Sequence, residues 1–251
     1  MQNIEHGETI IELKDIAFAY GESSVLKDFS LDIHKGDYLG IIGPNGGGKS
    51  TLIKIMLGLL AAKGQVKLFG KDINDFKDWS KIGYVSQQAT HIDASFPMTV
   101  EGVVSMGCYS KIGLFRFLNS KDKEKVTQAL RHVEMEEYRT RLIGDLSTGQ
   151  QQRVFIARAL AGEPEVIILD EPTTGVDAKM QEQFYAFLRK LNKEMHITLI
   201  LASHDLDTIE QEATELICIN KTLVYCGMAK EFRTHESFSS FHESTDKFTH
   251  H

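Results

Sequence analysis

The sequence lacks any apolar run long enough to cross a membrane. Its longest, VIILD at 166–170 and ITLILAS at 197–203, break off after about five to seven residues, against the roughly 20 that a bilayer requires. No secretory leader is expected either. The opening MQNIEHGETIIELKD is acidic and has neither the basic nor the apolar stretch of a secretory signal, so a cytosolic location is expected. Cysteine is scarce: Cys108, Cys218 and Cys226 are odd in number and form no CxxC pair. That excludes a disulfide framework and a zinc knuckle, and it predicts buried thiols. Positive charge is in deficit. A formal net charge of −7 gives no global attraction to nucleic acid, so only a local basic patch could recruit it, and no nucleic-acid partner is expected. No internal repeat is present.

What is there is 251 residues, 42% hydrophobic and 25% charged, enough to build a real core in one large domain or two small ones. Residues 9–33 alternate apolar and polar around Gly21 and the pair Ser23, Ser24, which predicts two antiparallel strands and a turn. DYLGIIG, 37–43, reads as a buried strand running into a glycine loop. KSTLIKIMLGLL then places Leu52, Ile55, Met56 and Leu59 on one helical face, predicting a helix that lasts until Gly64 stops it. Val126, Ala129, Leu130 and Val133 mark another amphipathic helix, and VIILD and ITLILAS predict fully buried strands. This alternation is that of an α/β protein. Between about 88 and 163 no comparable strand appears, so a mostly helical insertion is expected there. After Ala229 the chain turns polar and loses periodicity.

The stretch GPNGGGKST, 43–51, gives up four side chains to glycine. Gly43, Pro44, Asn45, Gly46, Gly47, Gly48, Lys49 and Ser50 fit GxxxxGK[ST], with Thr51 next, between a buried strand and an amphipathic helix. Glycines let backbone N–H groups converge on phosphate oxygens with no Cβ in the way. Lys49 is then placed for the β- and γ-phosphates, the Ser50 hydroxyl for Mg²⁺, and the positive end of the helix for the same charge. A chance glycine turn would have no reason to fall in this order of strand, loop and helix.

That loop alone leaves kinases, GTPases, helicases and transport ATPases open. A second motif is LSTGQQQRVFIARAL, 146–160, where Ser147 and Gln150 stand at capping-box spacing and open a helix whose N-terminus can meet an anion. LSTGQ resembles the LSGGQ signature of the ATP-binding cassette (ABC) family, departing only at Thr148, and the likeness covers nearly the whole chain. It implies a P-loop NTPase cassette with a RecA-like core, an antiparallel β subdomain and a helical insertion. The boundaries would be about 1–87 and 164–229 for the core with its β subdomain, 88–163 for the helical part and 230–251 for a flexible tail. VIILDE resembles the Walker B strand, with Asp170 supporting Mg²⁺ indirectly and Glu171 polarising the attacking water. YVSQQ resembles the Q-loop, with Gln87 the better match and a Mg²⁺ ligand, and Gln88 the alternative register. GVD after DEPTT resembles the D-loop, making Asp177 a contact across a dimer. ASHD supplies His204 as the switch histidine on the γ-phosphate. Tyr20 resembles the aromatic that stacks on adenine; without the family, a strand-end tyrosine packed on the core reads equally well.

In the family, two cassettes dimerise head to tail, so the resemblance implies that Ser147, Gly149 and Gln150 of one copy close over ATP held by the P-loop of the other. It also implies transmembrane permease subunits docked at the helical insertion, a substrate-binding protein reached indirectly, and a position on the cytoplasmic face of the membrane. The segment from SFPMTV to TQAL, together with GQQQR, is similar to ATPases of bacterial zinc, manganese and iron importers; a siderophore or haem importer is the nearest alternative. Phe115 and Phe117 are read as core or permease-contact residues. Soluble ABC ATPases acting on DNA or ribosomes have long insertions or two cassettes, which 251 residues do not fit. A P-loop kinase accounts for neither LSTGQ nor His204. His235, His242, His250 and His251 near the C-terminus invite a metal-sensor reading. Their spacing matches no compact zinc pattern, and a mobile solvated end is expected instead.

Overall fold

The structure is a computed structural model that describes residues 7–87, 96–112, 117–173 and 178–238. The expectations at Gln88, Phe115, Asp177, His242, His250 and His251 lie outside these residues. In chain order the elements begin with strands β1 (Thr9–Tyr20), β2 (Ser23–His34) and β3 (Tyr38–Ile42) and helix α1 (Lys49–Met56). Strands β4 (Lys63–Leu68), β5 (Lys71–Asp72) and β6 (Ile82–Val85) precede helices α2 (Val100–Ser105), α3 (Tyr109–Ile112), α4 (Ser120–His132) and α5 (Thr148–Ala161). Strand β7 (Val166–Asp170), helix α6 (Ala178–Met195), strand β8 (Thr198–Ser203), helix α7 (Leu206–Glu212) and strands β9 (Glu215–Asn220) and β10 (Thr222–Met228) complete the series. The chain forms two compact units, one of residues 1–77 and 192–251 and one of residues 78–191.

In the first unit, β1 and β2 make the expected antiparallel hairpin, closing at Tyr20 opposite Ser23 with Gly21 at φ 58° in the turn. They belong to an antiparallel sheet of order β2-β1-β4-β5. Strand β3 lies between β9 and β8 and is parallel to both, while β10 extends β9 as an antiparallel neighbour. Every residue of β3 and β8 is buried, as continuous apolar runs require when both faces are covered.

Helix α1 stops eight residues short of the expected Gly64. Gly58 takes φ 67°, its N–H bonds to Ile55 O at 3.0 Å, and the Leu59 N–H bonds to Lys54 O at 2.8 Å. This is a Schellman ending, in which a left-handed glycine satisfies the last helical carbonyls, and it leaves Leu59 64% exposed rather than on the buried face. The thiols also depart in part from expectation. Cys108 and Cys218 are buried, but Cys226 on β10 is exposed. Residues 229–238 hold more structure than the polarity of the sequence suggested. Ala229–Thr234 forms a 3-10 helix with Phe232 fully buried, 4.9 Å from the Tyr225 ring and 5.5 Å from Phe238.

The second unit pairs β6 with β7 in parallel and packs α2, α4 and α5 together through Val103, Val104, Val126, Leu130, Val154 and Ile156. Asn119 caps α4 in a full capping box with Asp122. A Cβ at Gly107 would lie 1.9 Å from the Arg158 carbonyl, so the chain passes α5 where only glycine fits.

Candidate functional site

In the first unit, the parallel register of β3 and β8 sets Ile42 opposite Ser203, so Gly43 and His204 leave neighbouring strands at the same C-terminal edge. Ligands of open α/β sheets bind at such edges. The glycines are demanded by crowding. A Cβ at Gly43 would meet the Ile219 carbonyl at 2.2 Å, and one at Gly47 would meet the Pro44 and Ile219 carbonyls at 2.9 and 3.0 Å. Gly48, at φ 108°, also faces Leu26 of β2. The Lys221 peptide, at φ 63°, ties this loop to β2. Its N–H donates to Gly47 O at 3.0 Å, and its carbonyl accepts from Lys27 N at 2.8 Å.

The Lys49 side chain is buried and its Nζ donates to the carbonyls of Gly43 at 2.8 Å and Pro44 at 3.3 Å. An ammonium curled back on its own loop marks out a place prepared for negative charge. No side chain caps α1, whose N-cap is Gly48, and Ser50 and Thr51 follow in its first turn. Asn45 and Gly46 are exposed at the tip. A cradle that Cβ atoms would fill, a buried lysine and a helix start without a side-chain cap together fit a triphosphate, and the Ser50 hydroxyl fits a hard cation bound with it.

Tyr20 is 51% exposed and held edge-on to Phe18 at 4.9 Å, on the hairpin whose Val25 and Leu26 touch Gly48. Half of its surface is thus left open for stacking. His204 is exposed between buried Ser203 and α7, where Asp205 caps the helix by accepting from Thr208 N at 3.1 Å. A different histidine-carboxylate group occurs at the other end of β3. His34, Asp37 and Glu215 have ligand atoms within 4.8 Å, but Asp37 accepts the His34 backbone N–H at 2.7 Å and serves the β2–β3 turn.

In the second unit, Val85 pairs with Leu169, so two residues further on Gln87 and Glu171 emerge side by side. Gln87 Nε2 donates to Glu171 Oε2 at 3.3 Å. Asp170 is buried at the end of β7, and the Tyr84 hydroxyl has its pKa raised, first by burial and then by the Asp170 charge. Glu171 itself is left-handed, at φ 45°. The expected capping box opens α5. Ser147 N donates to Gln150 Oε1 at 3.0 Å and Gln150 N to Ser147 Oγ at 3.4 Å. Gln150 thus shapes the helix start, and Ser147 stays exposed. Thr148 has an ordinary helical φ, so glycine is not required there. A Cβ at Gly149 would meet only the flexible end of Met180.

Sequence reasoning missed the two glutamines that follow. Gln151 Nε2 donates to the carbonyls of Ile143 at 3.2 Å and Leu146 at 3.3 Å, and buried Gln152 donates to the Pro172 carbonyl. Glutamines on a helix whose buried face is otherwise apolar were the available signal.

The family model described as ABC transporter matches residues 26–174. The zinc uptake system ATP-binding protein ZurA of Listeria monocytogenes is 47% identical over 225 residues, covering 89% of this chain and 88% of that protein. The manganese transport system ATP-binding protein MntB of Bacillus subtilis is 40% identical over 228 residues, covering 90% of each. Among solved structures, a metal-chelate type ABC transporter in an inward-facing conformation aligns with a TM-score of 0.82 at 26% identity, covering 94% of this chain and 90% of that one.

Proposed function

Because the chain belongs to the ABC transporter family and is the ATP-binding, ATP-hydrolysing subunit of such a transporter, we propose that it drives import of a divalent transition metal, zinc first and manganese or iron beside it. The similarity to zinc and manganese uptake proteins over about nine-tenths of the chain supports the cargo. The hydrogen bond between Gln87 and Glu171 carries the chemistry.

Tyr20 stacks on adenine, and the N–H groups of Gly43, Asn45, Gly46 and Gly48 with Lys49 and Thr51 hold the phosphates. Ser50 and Gln87 would hold Mg²⁺, with Asp170 behind them; the ion supplies neutralisation of phosphate charge. Glu171 polarises the attacking water, which Gln87 helps to orient, and His204 hydrogen-bonds the γ-phosphate. Ser147, Gly149 and Gln150 close over ATP held by a second copy, with Asp177 at the same interface. The helical segment 88–163 receives the permease subunits, which a substrate-binding protein supplies, and the chain thereby sits on the cytoplasmic face of the membrane.

Glu171→Gln tests this. It is expected to bind ATP, to lose turnover by about 100-fold or more, and to elute as a dimer in gel filtration with Mg-ATP. A variant that stays monomeric and hydrolyses at the wild-type rate overturns the assignment. The likeness to a metal-chelate transporter favours one second reading, import of a chelated metal. Loss of ⁶⁵Zn²⁺ uptake on gene deletion, with ferric-chelate uptake intact, supports the free ion; the opposite pattern supports the chelate.

A further inference from the structure

Glu171 sits in a left-handed conformation that a glutamate does not favour by itself, so its carboxylate is placed by whatever holds its flanks. On the near side is Gln87. On the far side the chain is gripped three times. Thr173 Oγ1 and the Tyr185 hydroxyl of α6 lie 2.9 Å apart, and Gln181 Nε2 donates to the Thr173 carbonyl at 3.3 Å. The Pro172 carbonyl, directly after Glu171, accepts from Gln152 Nε2.

Gln152 differs from the other holders. It is 2% exposed, and its Oε1 has no hydrogen-bond partner among the described residues. An apolar side chain of the same size would avoid stranding that oxygen, so packing does not explain the amide. It also stands five residues after Ser147 on α5, the helix whose N-terminus carries LSTGQ.

We propose that Gln152 is a positioning residue that locks the loop carrying Glu171 to the signature helix, so that engagement of the α5 N-terminus and alignment of the Glu171 carboxylate occur together. The proposal rests on the reading of Glu171 as the group that polarises water. In a head-to-tail dimer, Ser147 faces the nucleotide of the second copy while Glu171 serves the nucleotide of its own chain. The Gln152 bond therefore connects the two ATP sites through a single hydrogen bond within one chain. A displacement of about 1 Å at a catalytic group costs on the order of 100-fold in rate, so even a slight slackening is measurable.

Steady-state ATPase assays on the full-length protein, with binding of a fluorescent ATP analogue and thermal melting alongside, decide it. Gln152→Leu is expected to lower kcat tenfold or more and to leave the analogue's Kd within twofold. Gln152→Glu keeps the shape. Ionised, it has no proton to give the Pro172 carbonyl; protonated, its O–H donates. Burial and the neighbouring Glu171 charge both raise the pKa of the new carboxyl. Its kcat relative to wild type should therefore climb as pH falls from 8 towards 6. A ratio that stays low and flat with pH, or a Leu variant with wild-type kcat, overturns the proposal. Glu171→Gln separates the layers. If it hydrolyses normally, the reading of Glu171 fails; if it stalls while Gln152→Leu turns over normally, only the role of Gln152 fails.

Discussion

Two residues six apart in the glycine loop fail in opposite ways when changed to alanine. At Gly43 the added Cβ meets a backbone carbonyl, that of Ile219 at 2.2 Å, and a carbonyl in a paired strand cannot swing aside as a side-chain tip can. Gly43→Ala is expected to lower stability by about 1–3 kcal/mol and to abolish ATP binding, as read by urea unfolding and by calorimetry. Lys49→Ala removes a buried ammonium together with the two loop carbonyls' partner. It should still fold, yet bind the triphosphate weakly and show no hydrolysis; retained ATPase activity would refute the loop's assignment. Both positions were legible because the motif carries its own mechanism. Gln152 was not, since the same letter three times in a row gives no hint of which carbonyl each buried amide meets.

Elements were read best where one period dominates. VIILD and ITLILAS are unbroken apolar runs, and they are the buried strands β7 and β8. Ends were read worst. The face of Leu52, Ile55 and Met56 continues to Leu59 on paper, but Gly58 turns left-handed first and the helix ends. The end of α5 shows another device invisible to pattern. Glu163, at φ 51°, receives Lys125 from the middle of α4 at 2.7 Å and Lys111 of α3 at 3.0 Å, tying the end of α5 to two other helices. The Lys125 hydrogen bond, with Lys111 behind it, holds the Glu163 carboxyl below its usual pKa. Because the folded value is the lower one, this contribution is complete above the unfolded value of about 4.3 and disappears as pH falls through the folded value. With Glu163 half exposed, it amounts to less than about 1 kcal/mol. Glu163→Gln should therefore be slightly less stable than wild type at pH 7 and equal to it near pH 2–3, as measured by urea midpoints; a difference independent of pH would contradict the ion-pair account.

At the scale of the whole chain, the C-terminal stretch is where composition misled most. Its polar letters hide Phe232 and Phe238, and His235 lies 5.0 Å from the Tyr225 ring. Deleting everything after Thr234 removes two ring contacts, each worth about 0.5–1.5 kcal/mol, and should lower Tm by about 2–12 °C. ATPase activity and its response to added Zn²⁺ should not change. Calorimetric titration of Zn²⁺ into both forms checks this; a tight site lost with the tail, along with loss of metal inhibition, would make the tail regulatory. A subtler control lies at Lys221, whose backbone, not its side chain, holds both the glycine loop and β2. Natural variation there should look careless, with almost any residue tolerant of a left-handed turn accepted. Length is another matter. One residue inserted at this surface turn would pull both clamps out of register, so a position that is free in identity is closed to the insertions by which surface turns ordinarily diverge.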